Sequence, residues 1–150
     1  MELKGSHLVE ATPGTLWKML MDTDVLSKLI PGISTLEKTG ANSYTSVLEL
    51  KAGPISASFT GDAQMEDIVE QQMFTLKMQQ SNKMGNVNSI MKIELKPVNE
   101  KETEVMFDGE LKITGMLRTM GEKMLGSVAN MLTKQFFANL DHELAKQQAS

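Results

Sequence analysis

Two histidines, His7 and His142, and the carboxylates Asp22, Asp24, Asp62, Asp67 and Asp108 are the residues from which this chain would build a hydrolytic or metal centre. General acid–base work needs two such groups converging on one point, and a metal needs several ligands at a spacing such as HExxH. Neither pattern is present. The histidines stand at opposite ends of the chain, and the aspartates fall at helix starts, turns or outward strand positions. GxSxG, Walker and GxGxxG motifs are missing, and cysteine is absent, which removes thiolate ligands, cysteine nucleophiles and disulfides. The chain therefore offers no catalytic residue and no metal site. His7 is the one polar group on an apolar strand face, and two roles are open to it: a satisfied core or edge histidine, or an anchor for the polar head group of a ligand.

The 150 residues suffice for one domain, placed at 1–146 with a frayed tail at 147–150, and 41% hydrophobic with 23% charged residues is ordinary for a soluble globular chain. A net charge of −4, with no basic run interleaved with aromatics, argues against nucleic acid as a partner. The opening MELKGSHLVE has no apolar signal-peptide core, and no window of about 18 apolar residues could span a bilayer. With the missing cysteines, these features suggest a cytoplasmic protein. Thirteen methionines against one Trp and one Tyr fit either a Met-filled core or an adaptable apolar surface for variable ligands.

The elements that must position these residues follow from periodicity. Met116, Met120, Met124, Val128, Leu132, Phe136, Leu140 and Leu144 recur every fourth residue, which predicts an amphipathic helix over Gly115–Leu144, roughly 45 Å long. Its Met-rich first half also carries Leu117, Gly121 and Met131 on one face. Gly121 and Gly126 lie inside that span, so Gly115–Gly126 is expected to be a movable half. Before it, Glu2–Glu10 alternates as a strand, and Thr12-Pro13 opens two short helices over Thr15–Met21 and Asp22–Ile30, ended by Pro31-Gly32. From Ile33 the period changes to 2: Ile33–Lys38, Asn42–Lys51, a Gly53-Pro54 turn, the clean alternation Ile55–Glu66, and strands through Phe74, Val87–Leu95 and Val105–Ile113. The expected fold is α+β, a curved seven-stranded antiparallel sheet wrapped around the long C-terminal helix.

Small residues mid-strand on the inward face, Gly5, Ser46, Ala57, Gly61, Ala63, Ser89 and Gly109, either let the sheet bend or leave a cavity under the helix. The candidate lining is Phe59, Ala63, Phe74, Leu76, Met78, Met91, Ile93, Phe107, Leu111, Met116, Met120, Met124, Val128 and Met131, with His7 as its polar member.

MELKGS at residues 1–6, the W-x-x-L of Trp17–Leu20, IPG at Ile30–Gly32 followed by LEKTG at Leu36–Gly40, GPISASFTG at Gly53–Gly61 and QFF at Gln135–Phe137 resemble CoxG, the accessory G protein of the aerobic carbon monoxide dehydrogenase system. That family belongs to the START-like, helix-grip superfamily, with the polyketide cyclases and the birch-allergen (Bet v 1-like) lipid binders. The resemblance implies a hydrophobic tunnel under the gripped helix and a non-catalytic accessory role around a molybdenum-containing hydroxylase. The ligand expected is apolar: an isoprenoid quinone, a fatty acid or another lipid, with no metal or covalent cofactor. Longer members carry a hydrophobic C-terminal anchor. This chain stops at Ser150, so at most transient contact with the inner face of a membrane is expected. A protein-interaction adaptor with a closed core is the alternative, and a cyclase-like enzyme ranks last because only His7, Ser46 and Ser89 offer polar groups inside.

Overall fold

The computed structural model describes residues 1–52 and 55–149. The expected Gly53-Pro54 turn and the terminal Ser150 lie outside them. Strand β1 (Glu2–Val9) points Leu3, Gly5, His7 and Val9 inward and its polar residues outward. Helix α1 (Pro13–Met21) starts where Thr12-Pro13 requires: Pro13 occupies the first turn, and the Thr12 side chain accepts a hydrogen bond from the Thr15 amide at 3.3 Å. Helix α2 (Thr23–Leu29) is capped by Asp22, whose Oδ1 accepts from the amides of Asp24 and Val25 at 3.0 and 3.4 Å. Gly32 then turns the chain at a φ of +80°, close enough to β3 that its carbonyl accepts from the Glu49 amide at 2.7 Å.

Six further strands follow: β2 (Ile33–Lys38), β3 (Ser43–Ala52), β4 (Ile55–Val69), β5 (Met73–Asn82), β6 (Gly85–Pro97) and β7 (Thr103–Gly115). They make one antiparallel sheet, seven strands among the described residues, in the order β1-β7-β6-β5-β4-β3-β2. Consecutive hairpins from β2 to β7 leave β1 to close beside β7, so the two short helices cross from one sheet edge to the other. Helix α3 (Glu122–Ala149) packs on the inward face. This is the expected α+β architecture, with its two short helices after β1 and its long C-terminal helix.

Two details of the helix differ from expectation. Strand β7 runs on to Gly115, Met116–Met120 forms a 3₁₀ turn, and α3 begins only at Glu122. Glycines with positive φ bracket that turn, Gly115 at +81° and Gly121 at +86°, so Gly121 terminates a turn instead of lying inside a helix. At the other end residues 147–149 are helical, and the Gln148 side-chain amide donates to the Glu10 carbonyl at 3.1 Å.

The core is uneven. Its main part joins Leu16, Trp17, Leu20 and Leu29 of the short helices to Phe74, Val105, Phe137, Leu140 and Leu144. Trp17 meets Phe74 edge-on at 5.9 Å, and the Asn139 side chain ties α3 to the Leu29 carbonyl at 3.1 Å. Full burial of a side chain such as Leu140 contributes about 1.5–3 kcal/mol, so this end anchors the helix. Toward the start of α3 the buried groups are smaller and separate: Phe59, Ile113, Leu117 and Leu125 in one, Ile55 and Val128 in another.

Candidate ligand cavity

Two apolar cavities occupy the space between the sheet and α3 where the core thins. The larger, about 270 Å³, lies over β5, β6 and β7 and is bounded by Leu76, Met78, Met91, Ile93, Phe107 and, from α3, Leu132, Phe136 and Leu140. The smaller, about 150 Å³, lies nearer the start of α3 and is bounded by Leu48, Leu50, Phe59, Val87, Ile113, Leu117, Leu125 and Val128, with Met1 at its edge. Leu111, Ala129 and Leu132 border both, so the two are neighbouring compartments divided by three side chains. Among the described residues, no Asp, Glu, His, Lys or Arg side chain lines either one. Nor does any cluster of three or more His, Asp or Glu among them offer to hold a metal ion.

The walls are built by strand parity. Each inward residue is paired across the sheet with another: Leu111 with Ser89, Ser89 with Met78 and Met78 with Ala63 in one row, and Ile113 with Val87, Val87 with Gln80, Gln80 with Gly61 and Gly61 with Ser46 in the next. Phe59, Leu76, Met78, Met91, Ile93, Phe107, Leu111 and Val128 of the expected lining border one compartment or the other. Ala63 and Phe74 belong instead to the main core beside Trp17. Met116 and Met124 are 66% and 43% exposed, while Met120 and Met131 pack behind the smaller compartment without bordering it. The cause is the late start of α3. Leu125, Val128, Ala129 and Leu132 follow the 3.6-residue period from Glu122, and a strict four-residue ladder drifts off that face before it reaches Met124.

Most of the small inward residues do not open space. A Cβ on Gly5 would lie 2.7 Å from the Phe107 ring, and one on Gly61 or Gly109 would overlap the carbonyl of Gln79 or Ile90. These glycines let neighbouring groups approach, as strand glycines commonly do. Of the seven, Ser89 alone borders a compartment.

His7 is also placed away from the cavities. Its ring stacks on Phe137 at 4.6 Å and its Nε2 lies 3.1 Å from Asp141 Oδ2, so it ties β1 to α3 and borders neither compartment. The polar side chain on the wall is Gln80, 5% exposed, whose Nε2 donates to Ser46 Oγ at 2.8 Å. Its parity on β5 continues Phe74, Leu76 and Met78, but Gln79-Gln80-Ser81-Asn82 reads as a polar turn unless the strand is carried to Asn82. In the main core, burial pushes the Tyr44 phenol above its usual range, with a hydrogen bond to Thr23 acting in the opposite direction.

The family model for the carbon monoxide dehydrogenase G protein (CoxG) matches residues 5–145. No curated protein matches the chain. Among solved structures, a conserved protein from Geobacillus kaustophilus is 28% identical with a TM-score of 0.94, the alignment covering 97% of this chain and 96% of that one. A START superfamily protein from Mycobacterium smegmatis is 10% identical with a TM-score of 0.77 over 97% of this chain and 98% of that one, a likeness of fold. No helix among the described residues is long and apolar enough to cross a membrane.

Proposed function

This chain belongs to the carbon monoxide dehydrogenase CoxG family, and on that premise we propose that it is a non-catalytic accessory protein that holds an apolar ligand between its sheet and α3. The observation that carries this is the pair of adjoining compartments, about 270 and 150 Å³, walled almost wholly by aliphatic, Met and Phe side chains. A core meant only for stability would be packed to the density of a crystal, and a void forfeits contacts on every side. Space retained across the middle of the molecule therefore supports occupancy by something apolar. An isoprenoid quinone, a fatty acid or another lipid meets that requirement, and rotation of Leu111 and Leu132 would join the compartments for a longer chain. The lack of titratable side chains on the described walls supports carriage in preference to catalysis.

The family supports action beside a molybdenum-containing hydroxylase of the carbon monoxide dehydrogenase type, with only transient membrane contact. A second reading, an adaptor for that enzyme, is favoured by one observation: Met84, Met116 and Met124 expose apolar surface around the 3₁₀ turn. Native mass spectrometry of protein purified without detergent distinguishes the two. A carrier shows one bound apolar molecule or takes one up when offered ubiquinone or a phospholipid extract. A protein that retains none and takes up none is not a carrier.

A further inference from the structure

The smaller compartment has an end that its apolar walls do not explain. Its other bordering residues are Met, Leu, Ile, Phe, Val and Ala, yet Gln80 is set among them. One end of its amide is held, Nε2 donating to Ser46 Oγ at 2.8 Å across the gap left by Gly61. The other end, Oε1, is buried with no hydrogen-bond partner, the one such side-chain atom among the described residues. Proteins rarely leave a buried carbonyl stranded, because its desolvation goes uncompensated. A lone water would be poorly held there, since buried waters make about two to four hydrogen bonds and the described walls of this compartment offer one polar side chain.

We infer that Gln80, oriented by Ser46, recognises a neutral oxygen-bearing head group, a hydroxyl or a ketone-type carbonyl, on an otherwise apolar ligand, and selects against a carboxylate. The inference rests on the reading of the cavity as a ligand site. As oriented, Oε1 accepts from a hydroxyl. Turned end for end, the amide takes the Ser46 hydroxyl proton on Oε1 and offers its NH₂ to a carbonyl, so one side chain serves both head groups. A carboxylate would find no cationic side chain on the described walls of either compartment, and burying it against a neutral amide leaves its charge uncompensated. The Met1 ammonium, at the exposed edge, donates to the Leu111 carbonyl at 2.8 Å.

The test is displacement of bound N-phenylnaphthylamine by n-decane, n-decanol, the methyl ketone of equal length and decanoate, from the native protein and from Gln80→Leu and the nearly isosteric Gln80→Met. Affinity for the alcohol and the ketone should fall about tenfold in both variants, the worth of one hydrogen bond, while that for decane holds or rises. Decanoate should bind the native protein more weakly than decanol. The side-chain ¹⁵N resonance of Gln80 should move on adding decanol and stay in place with decane. Equal losses for alkane and alcohol, or decanoate outcompeting decanol, would overturn the assignment to Gln80. Failure of the dye and of all four probes to bind would overturn the cavity reading itself, a distinct result.

Discussion

At the scale of single residues, parity along a strand decides what a side chain can do. Phe59, Leu76, Met91, Ile93 and Phe107 were legible as inward residues because their strands alternate cleanly from end to end. Gln80 was not, because it sits in a polar run near a hairpin, and its inward parity shows only when β5 is extended to Asn82. His7 has the right parity but commits it to Phe137 and Asp141, partners from the far end of the chain. Tyr44 carries a pH consequence. Burial raises its pKa above the usual value near 10, so the fold favours the protonated phenol. The sign follows: that stability is fully present below about pH 10, where the unfolded phenol is also protonated, and is lost as pH rises toward the folded pKa. Tyr44→Phe should accordingly show a shallower decline in urea-unfolding stability between neutral pH and about pH 10–11 than the native protein. Parallel declines would remove Tyr44 as the cause.

At the scale of elements, the C-terminal helix was legible in existence but not in its start. The four-residue ladder from Met116 suggested one continuous helix, whereas Gly115 and Gly121 both adopt positive φ and enclose a 3₁₀ turn between them. Backbone sterics separate the two central glycines of this region. Gly121, at φ 86° and ψ 156°, occupies a region essentially reserved for glycine, and no atom lies within 4 Å of where its Cβ would be. Gly126 sits inside α3, and a Cβ there would meet only Met1 Sδ at 3.9 Å. Gly121→Ala should therefore destabilise by about 1–3 kcal/mol through backbone strain alone. Gly126→Ala should stabilise by up to about 1 kcal/mol, by raising helix propensity. Chemical denaturation of the two variants checks the pair. A Gly121→Ala protein as stable as the native one would mean that α3 starts before Gly121.

At the scale of the whole molecule, the change of period from 3.6 to 2 at Ile33 and back near the end was enough to give the fold class. Hairpin-connected strands followed by one long apolar-faced helix have few alternatives to a gripped helix. The cavity was less legible. Small inward residues suggested empty space, but Gly5, Gly61 and Gly109 mark close approach, and the open volume arises between large side chains whose shapes do not fully interlock. A sequence shows which face a residue occupies, not how well two faces fill the gap between them. Carriage of a ligand requires that this gap admit one. Ala129 borders both compartments and is 8% exposed, so Ala129→Phe places a ring where they meet. The decisive measurement is equilibrium binding of N-phenylnaphthylamine to native and Ala129→Phe protein, with circular dichroism showing both folded. A ligand site between sheet and helix should give saturable binding at one site in the native protein and a loss of about tenfold or more in the variant, the equivalent of roughly 1.4 kcal/mol. Undiminished binding by a folded Ala129→Phe protein would contradict it.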